Sequence, residues 1–165
     1  MFNLHCTKKL LDRIKPEVQA PRNGTNRLGS WYATALFWKP QMALAVNERT
    51  LFPVLLPLAP AATLAQRFPV ALRDVLRTLD IPVEFIDSEI DGMSEVVYAK
   101  TANRSVLGVM NEFAYLAEGY RDQDVSFDPI ALSLKLAGTP CGPLYKGAVF
   151  PDKALRELVH GGPIH

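Results

Sequence analysis

Lys100, Asn103 and Arg104 bring an ammonium, an amide and a guanidinium into one short run of the chain, and Asn111 and Glu112 follow it. Thr101 and Asn103 are both residue types that accept hydrogen bonds from the first amides of a helix. Those amides have no partners within the helix itself. A helix beginning here sets free N–H groups beside two cations, an arrangement suited to a phosphate or a carboxylate. Asn111 and Glu112 would lie about two turns further on, roughly 10 Å at 1.5 Å per residue. One ligand could span that distance, its anionic group held by Lys100, Asn103 and Arg104 while Asn111 and Glu112 select what is attached. The same residues also admit a purely structural role: Arg104 pairs with Glu112 or another carboxylate, Asn103 only caps, and Asn111 bonds a neighbouring loop.

A second cluster, Asn47, Glu48 and Arg49, lies between two apolar runs. A carboxylate flanked by an amide and a guanidinium can orient a substrate or act as a general base, and it can equally close a turn. In an enzyme, Glu48 or Glu112 would be the base, and Arg49 or Arg104 would stabilise developing negative charge. Cys141 sits in a proline and glycine loop, TPCGPLYK from Thr139 to Lys146, where Lys146 could favour the thiolate. No histidine can be assigned to it from spacing. Cys6 and Cys141 are the only cysteines and have no CxxC spacing, so no disulfide framework is expected. His5, Cys6 and Cys141 do not make a convincing zinc site, because adjacent strand residues face opposite sides and no fourth ligand is evident. No metal or cofactor is expected, and buried free thiols are the default.

The elements that must position these groups follow from periodicity. Val106, Val109, Met110, Phe113, Leu116, Ala117 and Tyr120 recur at helical spacing, which predicts a long helix with one buried side. Arg104, Gly108, Asn111, Tyr115 and Glu118 form a second stripe. Gly108 costs about 1 kcal/mol relative to alanine inside a helix, and it predicts a close approach by another group there. Upstream, EVVYA from Glu95 to Ala99 predicts a strand feeding this helix.

Phe2 to Cys6 alternates as a short strand, and Thr7 then caps a helix through Ile14 that Pro16 stops. Glu17 to Ser30 reads as a polar loop, expected to be mobile, whose Arg22 and Arg27 could serve nucleic acid or a partner, though a solvated loop is the commoner explanation. Trp31–Trp38 and Met42–Val46 predict a hairpin, and Leu51–Leu58 a third strand. Pro53 and Pro57 push that strand toward an edge. Ala61–Leu79 predicts a helix broken near Phe68 and Pro69, whose outer side carries Arg67, Arg73, Asp74 and Arg77; these arginines could touch phosphates, while an ordinary solvated surface is the commoner role for such a face. Further helices are predicted from Pro82 to Gly92, from Pro129 to Gly138 after Asp128, and from Pro151 through Val159 to Gly161 and Gly162. Together these define an α+β fold over residues 1–165: one globular domain with an antiparallel meander of about three strands, N-terminal and pre-helix strands, and five or six helices.

Composition agrees with a single domain. The 165 residues are 48% hydrophobic and 21% charged, with net charge +1 and pI about 7.8. No global field draws such a chain to nucleic acid or an acidic membrane. The longest apolar run, LFPVLLPLAPAA, is interrupted by prolines and falls short of the ~20 residues that span a bilayer. The first residues supply no signal-peptide hydrophobic region, so a cytoplasmic protein with no membrane partner is expected.

Four segments carry a resemblance: LHCTKKLL (Leu4–Leu11), VNERT (Val46–Thr50), KTANRSVLGVMNEF (Lys100–Phe113) and TPCGPLYK (Thr139–Lys146). The chain resembles a family of small bacterial proteins known as a domain of unknown function, with KTxNRSVLGxMNEF and TPCGPLYK motifs. The resemblance implies neighbours among plasmid and transposon-passenger genes, and hence contact with nucleic acid or a nucleic-acid enzyme. It assigns no reaction. Three functions are therefore weighed: a binding or accessory module with an anion site at a helix N-terminus and a nucleic-acid or protein partner; a hydrolase or nuclease-like enzyme built on the carboxylates above; and a structural subunit without a ligand.

Overall fold

The computed structural model describes residues 1–123, 127–144 and 147–161. Among these residues five strands form one mixed sheet: β1 (Phe2–Cys6), β2 (Trp31–Leu36), β3 (Met42–Asn47), β4 (Pro53–Pro57) and β5 (Val96–Lys100), in the order β4-β3-β2-β1-β5. The antiparallel meander predicted from the sequence is β2-β3-β4. β1 adds to it in parallel with β2, and β5 adds in parallel on the other side of β1. Among the described residues six α-helices pack with the sheet: α1 (Lys8–Ile14), α2 (Leu64–Thr78), α3 (Val83–Asp91), α4 (Arg104–Gln123), α5 (Pro129–Ala137) and α6 (Pro151–Val159).

Alternation along the strands sends side chains into two cores. Phe2, Leu4, Trp31, Ala33, Ala45, Val54 and Leu56 face α1, α2 and α3, where Leu10, Phe68, Leu72 and Ile86 are buried. Tyr32, Leu36, Met42, Leu44, Val46 and Leu55 face α4, which contributes Val106, Val109, Met110 and Phe113. The stripe read from the sequence is thus the face of α4 that covers the meander. α5 supplies residues to both cores beside β4.

β4 is an edge strand, as its two prolines require. The Leu55 amide donates to Ser133 Oγ of α5 at 2.8 Å, so the edge is covered from the helix side. The opposite edge, β5, is bridged in parallel by Val18, and the Gln19 amide donates to Tyr98 O at 2.8 Å.

Two local expectations are corrected. The helix around Pro69 does not break: α2 runs through it, preceded by a 3-10 turn at Ala61–Thr63. Proline in a helix interior costs about 3 kcal/mol. Leu64, Phe68, Leu72, Val75 and Leu76 are all buried on that helix, and each contributes roughly 1.5 to 3 kcal/mol, so packing outweighs the lost bond. The segment from Glu17 to Ser30 is irregular, as its composition predicts, but it is fastened along its length. Asn3 exchanges two hydrogen bonds with the Arg22 backbone, and Glu89 and Asn47 hold residues further on.

Candidate functional site

The start of α4 is fixed by Asn103. Its Oδ1 accepts from the Ser105 amide at 2.9 Å and the Val106 amide at 3.2 Å, and its carbonyl accepts from Leu107 N at 3.1 Å. The cap therefore uses much of the donor capacity that the sequence offered to a ligand. Among the described residues the Arg104 amide is left as the first-turn donor without a protein acceptor. The Asn103 amide in turn donates to the Tyr32 hydroxyl at 3.1 Å, tying the helix start to the second core. The Tyr32 ring stacks on His5 with centroids 4.5 Å apart, and His5 Nδ1 lies 2.9 Å from Lys100 O. Burial raises the Tyr32 hydroxyl pKa, the Asn103 amide opposes this, and the Glu48 charge raises it further.

The second cluster is a turn closed by a buried amide. Asn47 Oδ1 accepts from Arg49 N at 3.1 Å, Thr50 N at 2.9 Å and Thr50 Oγ1 at 3.0 Å. Its Nδ2 donates to Leu28 O at 2.9 Å and Ser30 O at 3.3 Å. The turn returns to β4 through Leu51 at φ 61°, a left-handed conformation that is costly for a non-glycine residue and is held here by burial. Glu48 and Arg49 are carried outward on this frame, and Arg49 Nη1 donates to Arg27 O at 2.5 Å.

These two clusters meet. A cleft of about 420 Å³ is lined by Glu48, Arg49 and Leu51 from the turn, Asn103, Ser105 and Val106 from the start of α4, and Pro143 and Leu144 from the loop before α6. Its floor is apolar and its rim carries one carboxylate, one guanidinium, one hydroxyl and the capping amide. Ser105 and Tyr32 gained no weight from spacing alone. The usable signal for Tyr32 is register: it pairs with Val46 on one side and His5 on the other, so its ring shares their level of the sheet.

The remaining residues singled out from the sequence lie elsewhere. Lys100, Arg104, Asn111 and Glu112 are exposed on the β5–α4 passage or along α4, outside the lining of that cleft. Gly108 is not at a close approach, since a Cβ added there meets nothing within 4 Å. Gly108→Ala is accordingly expected to stabilise the fold by about 0.5 to 1 kcal/mol, seen as a higher urea midpoint with an unchanged slope. Arg67 is not free for phosphates: it donates to Pro57 O, Leu58 O, Pro60 O and Thr63 Oγ1. Arg27 is likewise engaged, with the Leu158 and Val159 carbonyls at the end of α6 and over the Phe85 ring.

Cys141 is buried, and its thiol lies 3.6 Å from Thr139 O. Burial, with the Glu112 charge added, pushes its pKa up to about 11, and burial pushes Cys6 up to about 12. A thiol held so far above neutrality is a poor nucleophile. Native protein is expected to react with a disulfide reagent at least about 100-fold more slowly than urea-unfolded protein at pH 7; comparable rates would refute this. Lys146, proposed as the neighbour of Cys141, lies outside the described residues, as do Gly162 and His165. Among the described residues no group of three His, Cys, Asp or Glu side chains could hold a metal ion, and no helix is long and apolar enough to cross a membrane.

Fold and site together define a single α+β domain whose meander and principal helix frame one polar cleft. The chain belongs to the family described as domain of unknown function (DUF6933), whose profile matches residues 3–154. Neither a curated protein nor a solved structure matches it.

Proposed function

We propose that this chain is a binding or accessory module that takes an anionic group into the cleft between the β3–β4 turn and the start of α4. The observation that supports this reading is the shared lining, which puts Glu48 and Arg49 in one cavity with Asn103 and Ser105. Arg49 supplies the cation, the Ser105 hydroxyl supplies a donor, and Glu48 accepts from a donor on the same ligand. Such a ligand is small and carries both an anionic group and a hydroxyl or amine. Lys100 and Arg104 add positive field at the entrance, and Asn111 and Glu112 lie along α4, where an extended ligand or a partner would pass. The genomic setting implied by the family resemblance makes nucleic acid, or a protein that handles it, the partner to try first.

The test is a titration with inorganic phosphate, followed by amide NMR shifts. Arg49→Ala is expected to weaken binding about tenfold to a hundredfold, since a hydrogen bond to a charged group is worth roughly 1.5 to 3 kcal/mol. Arg104→Ala, outside the cleft lining, removes only a nearby charge and is expected to cost only a few-fold. The reverse ranking would move the site out of the cleft and onto the exposed stripe of α4. A nucleic-acid ligand would add a steep linear fall of log affinity with log salt.

A second reading is favoured by the placement of Glu48, which lines the cleft beside Arg49 and acts electrostatically on Tyr32. In a hydrolase or nuclease-like enzyme Glu48 would be the base and Arg49 would stabilise developing charge, with Glu112 outside the reacting centre. Turnover separates the two readings: an enzyme hydrolyses a phosphodiester substrate and loses that activity in Glu48→Gln while keeping its phosphate affinity, whereas a binding module turns over nothing in either form.

A further inference from the structure

Glu89 is an acidic side chain buried in the interior of the fold. It is 2% exposed on α3, and no salt bridge to it is present among the described residues. Its two carboxylate oxygens accept from two consecutive backbone amides, Arg27 N at 2.5 Å and Leu28 N at 3.3 Å. A buried carboxylate held only by main-chain donors must make those bonds to be tolerated. It therefore dictates the path of the segment from residue 26 to residue 30. That segment is the support on which Arg49 rests. The Arg27 carbonyl, in the same residue whose amide Glu89 holds, accepts from Arg49 Nη1 at 2.5 Å. Two residues along, Gly29 is at φ 73°, and a Cβ added to it would come within 3.1 Å of Arg49 Nε and 3.3 Å of Cζ. The guanidinium thus lies against the bare backbone of Gly29 and is anchored on the carbonyl of the same peptide whose Leu28 amide Glu89 holds.

We infer that Glu89 is a positioning residue for Arg49: by gripping the Arg27 and Leu28 amides it holds the Arg27 carbonyl and the Gly29 surface where they aim the Arg49 guanidinium across the cleft. Two further features fit this role. Asn47 holds the same segment from the opposite side through Leu28 O and Ser30 O, so the segment is clamped between α3 and the β3–β4 turn. The charged groups that act on Glu89 are Arg27 and Arg49, while the Met1 ammonium donates to Gly92 O just beyond the end of α3. Burial raises the Glu89 pKa, and the two amides and two guanidiniums pull it back, so the carboxyl is poised to report on its own contacts. The inference about Arg49 rests on contacts within the protein. Only its consequence for ligand affinity depends on the binding role proposed for the cleft.

The experiment follows the Arg49 Nη1–H resonance of the ¹⁵N-labelled full chain, assigned by its loss in Arg49→Lys, together with the Arg27 and Leu28 amides. Spectra are taken from about pH 4 to pH 7, across the range where a raised glutamate titrates. In the wild type the three signals are expected to move with one shared midpoint above the ordinary glutamate range. In Glu89→Gln, which cannot titrate, that step disappears and Arg49 Nη1–H, hydrogen-bonded to Arg27 O, exchanges roughly tenfold or more faster. An Arg49 signal as protected in Glu89→Gln as in the wild type overturns the inference. If Glu89→Gln does not fold, the wild-type titration decides, since a shared midpoint supports the coupling and independent midpoints overturn it. Phosphate added to both proteins separates the two proposals: loss of Arg49 protection with no phosphate binding in either protein upholds the positioning role and removes the anion reading of the cleft.

Discussion

Asn47→Ala is expected to lower the stability of the fold by about 3 to 5 kcal/mol, because it strands several buried polar groups at once. The side chain is fully buried and makes five hydrogen bonds, to Arg49 N, Thr50 N, Thr50 Oγ1, Leu28 O and Ser30 O. Thr50 N and Leu28 O are themselves buried, so no water replaces the lost partner without a rearrangement. Each buried group left without a partner costs roughly 1 to 3 kcal/mol, and some of that is recovered by relaxation of the turn. Asn47→Asp is the informative companion. It keeps the acceptor for the Arg49 and Thr50 amides but turns a second oxygen toward two carbonyls, so its loss should approach that of alanine at neutral pH and shrink on acidification. Urea melts at pH 7 and pH 4 measure both variants. A loss below about 1 kcal/mol for Asn47→Ala would show that the turn holds its shape without the amide.

That residue also shows where sequence reading succeeded and where it stopped. The elements were legible because their signals are local: period-two alternation gave the strands, the apolar stripe gave α4, Asp128 with Pro129 gave the start of α5, and Pro53 with Pro57 marked the edge strand. The capping role of Asn103 was legible for the same reason. The cleft was not, because it is made by groups brought together from the 48–51, 103–106 and 143–144 stretches, and only the topology of the sheet places them side by side. Asn47 belonged to a suggestive polar triplet, yet its side chain points inward while Glu48 and Arg49 stand on the rim, a distinction of rotamer and register that composition does not carry. Gly108 misled in the opposite direction. A glycine inside a helix implies a visitor to its surface, and α4 has none at that position. Glu89 was the least visible of all, since an acidic residue in a short amphipathic helix ordinarily faces water. The partners that keep it inside are two backbone amides far away in sequence.

For Glu89 the expected effect is large and its pH dependence has a definite sign. Glu89→Ala leaves the Arg27 and Leu28 amides without acceptors and opens a gap under α3, which should cost about 2 to 4 kcal/mol. The pH dependence is read against Glu89→Gln, which is neutral throughout. Burial raises the carboxyl pKa in the folded protein above its unfolded value, the bonds from Arg27 and Leu28 and the charges of Arg27 and Arg49 offsetting part of that rise. The folded state then binds the proton more tightly than the unfolded chain. The stability contributed by this linkage is complete below the unfolded value of about 4.3, and it is lost as the pH climbs through the higher folded value. Wild type should therefore lose ground relative to Glu89→Gln between those two values and hold a constant difference above them. Paired urea melts at half-unit pH steps measure the difference directly. A wild-type advantage that grows with rising pH would mean that the two amides and the guanidiniums outweigh desolvation, making the carboxylate the preferred form inside the fold and reversing the balance of forces assigned to this site.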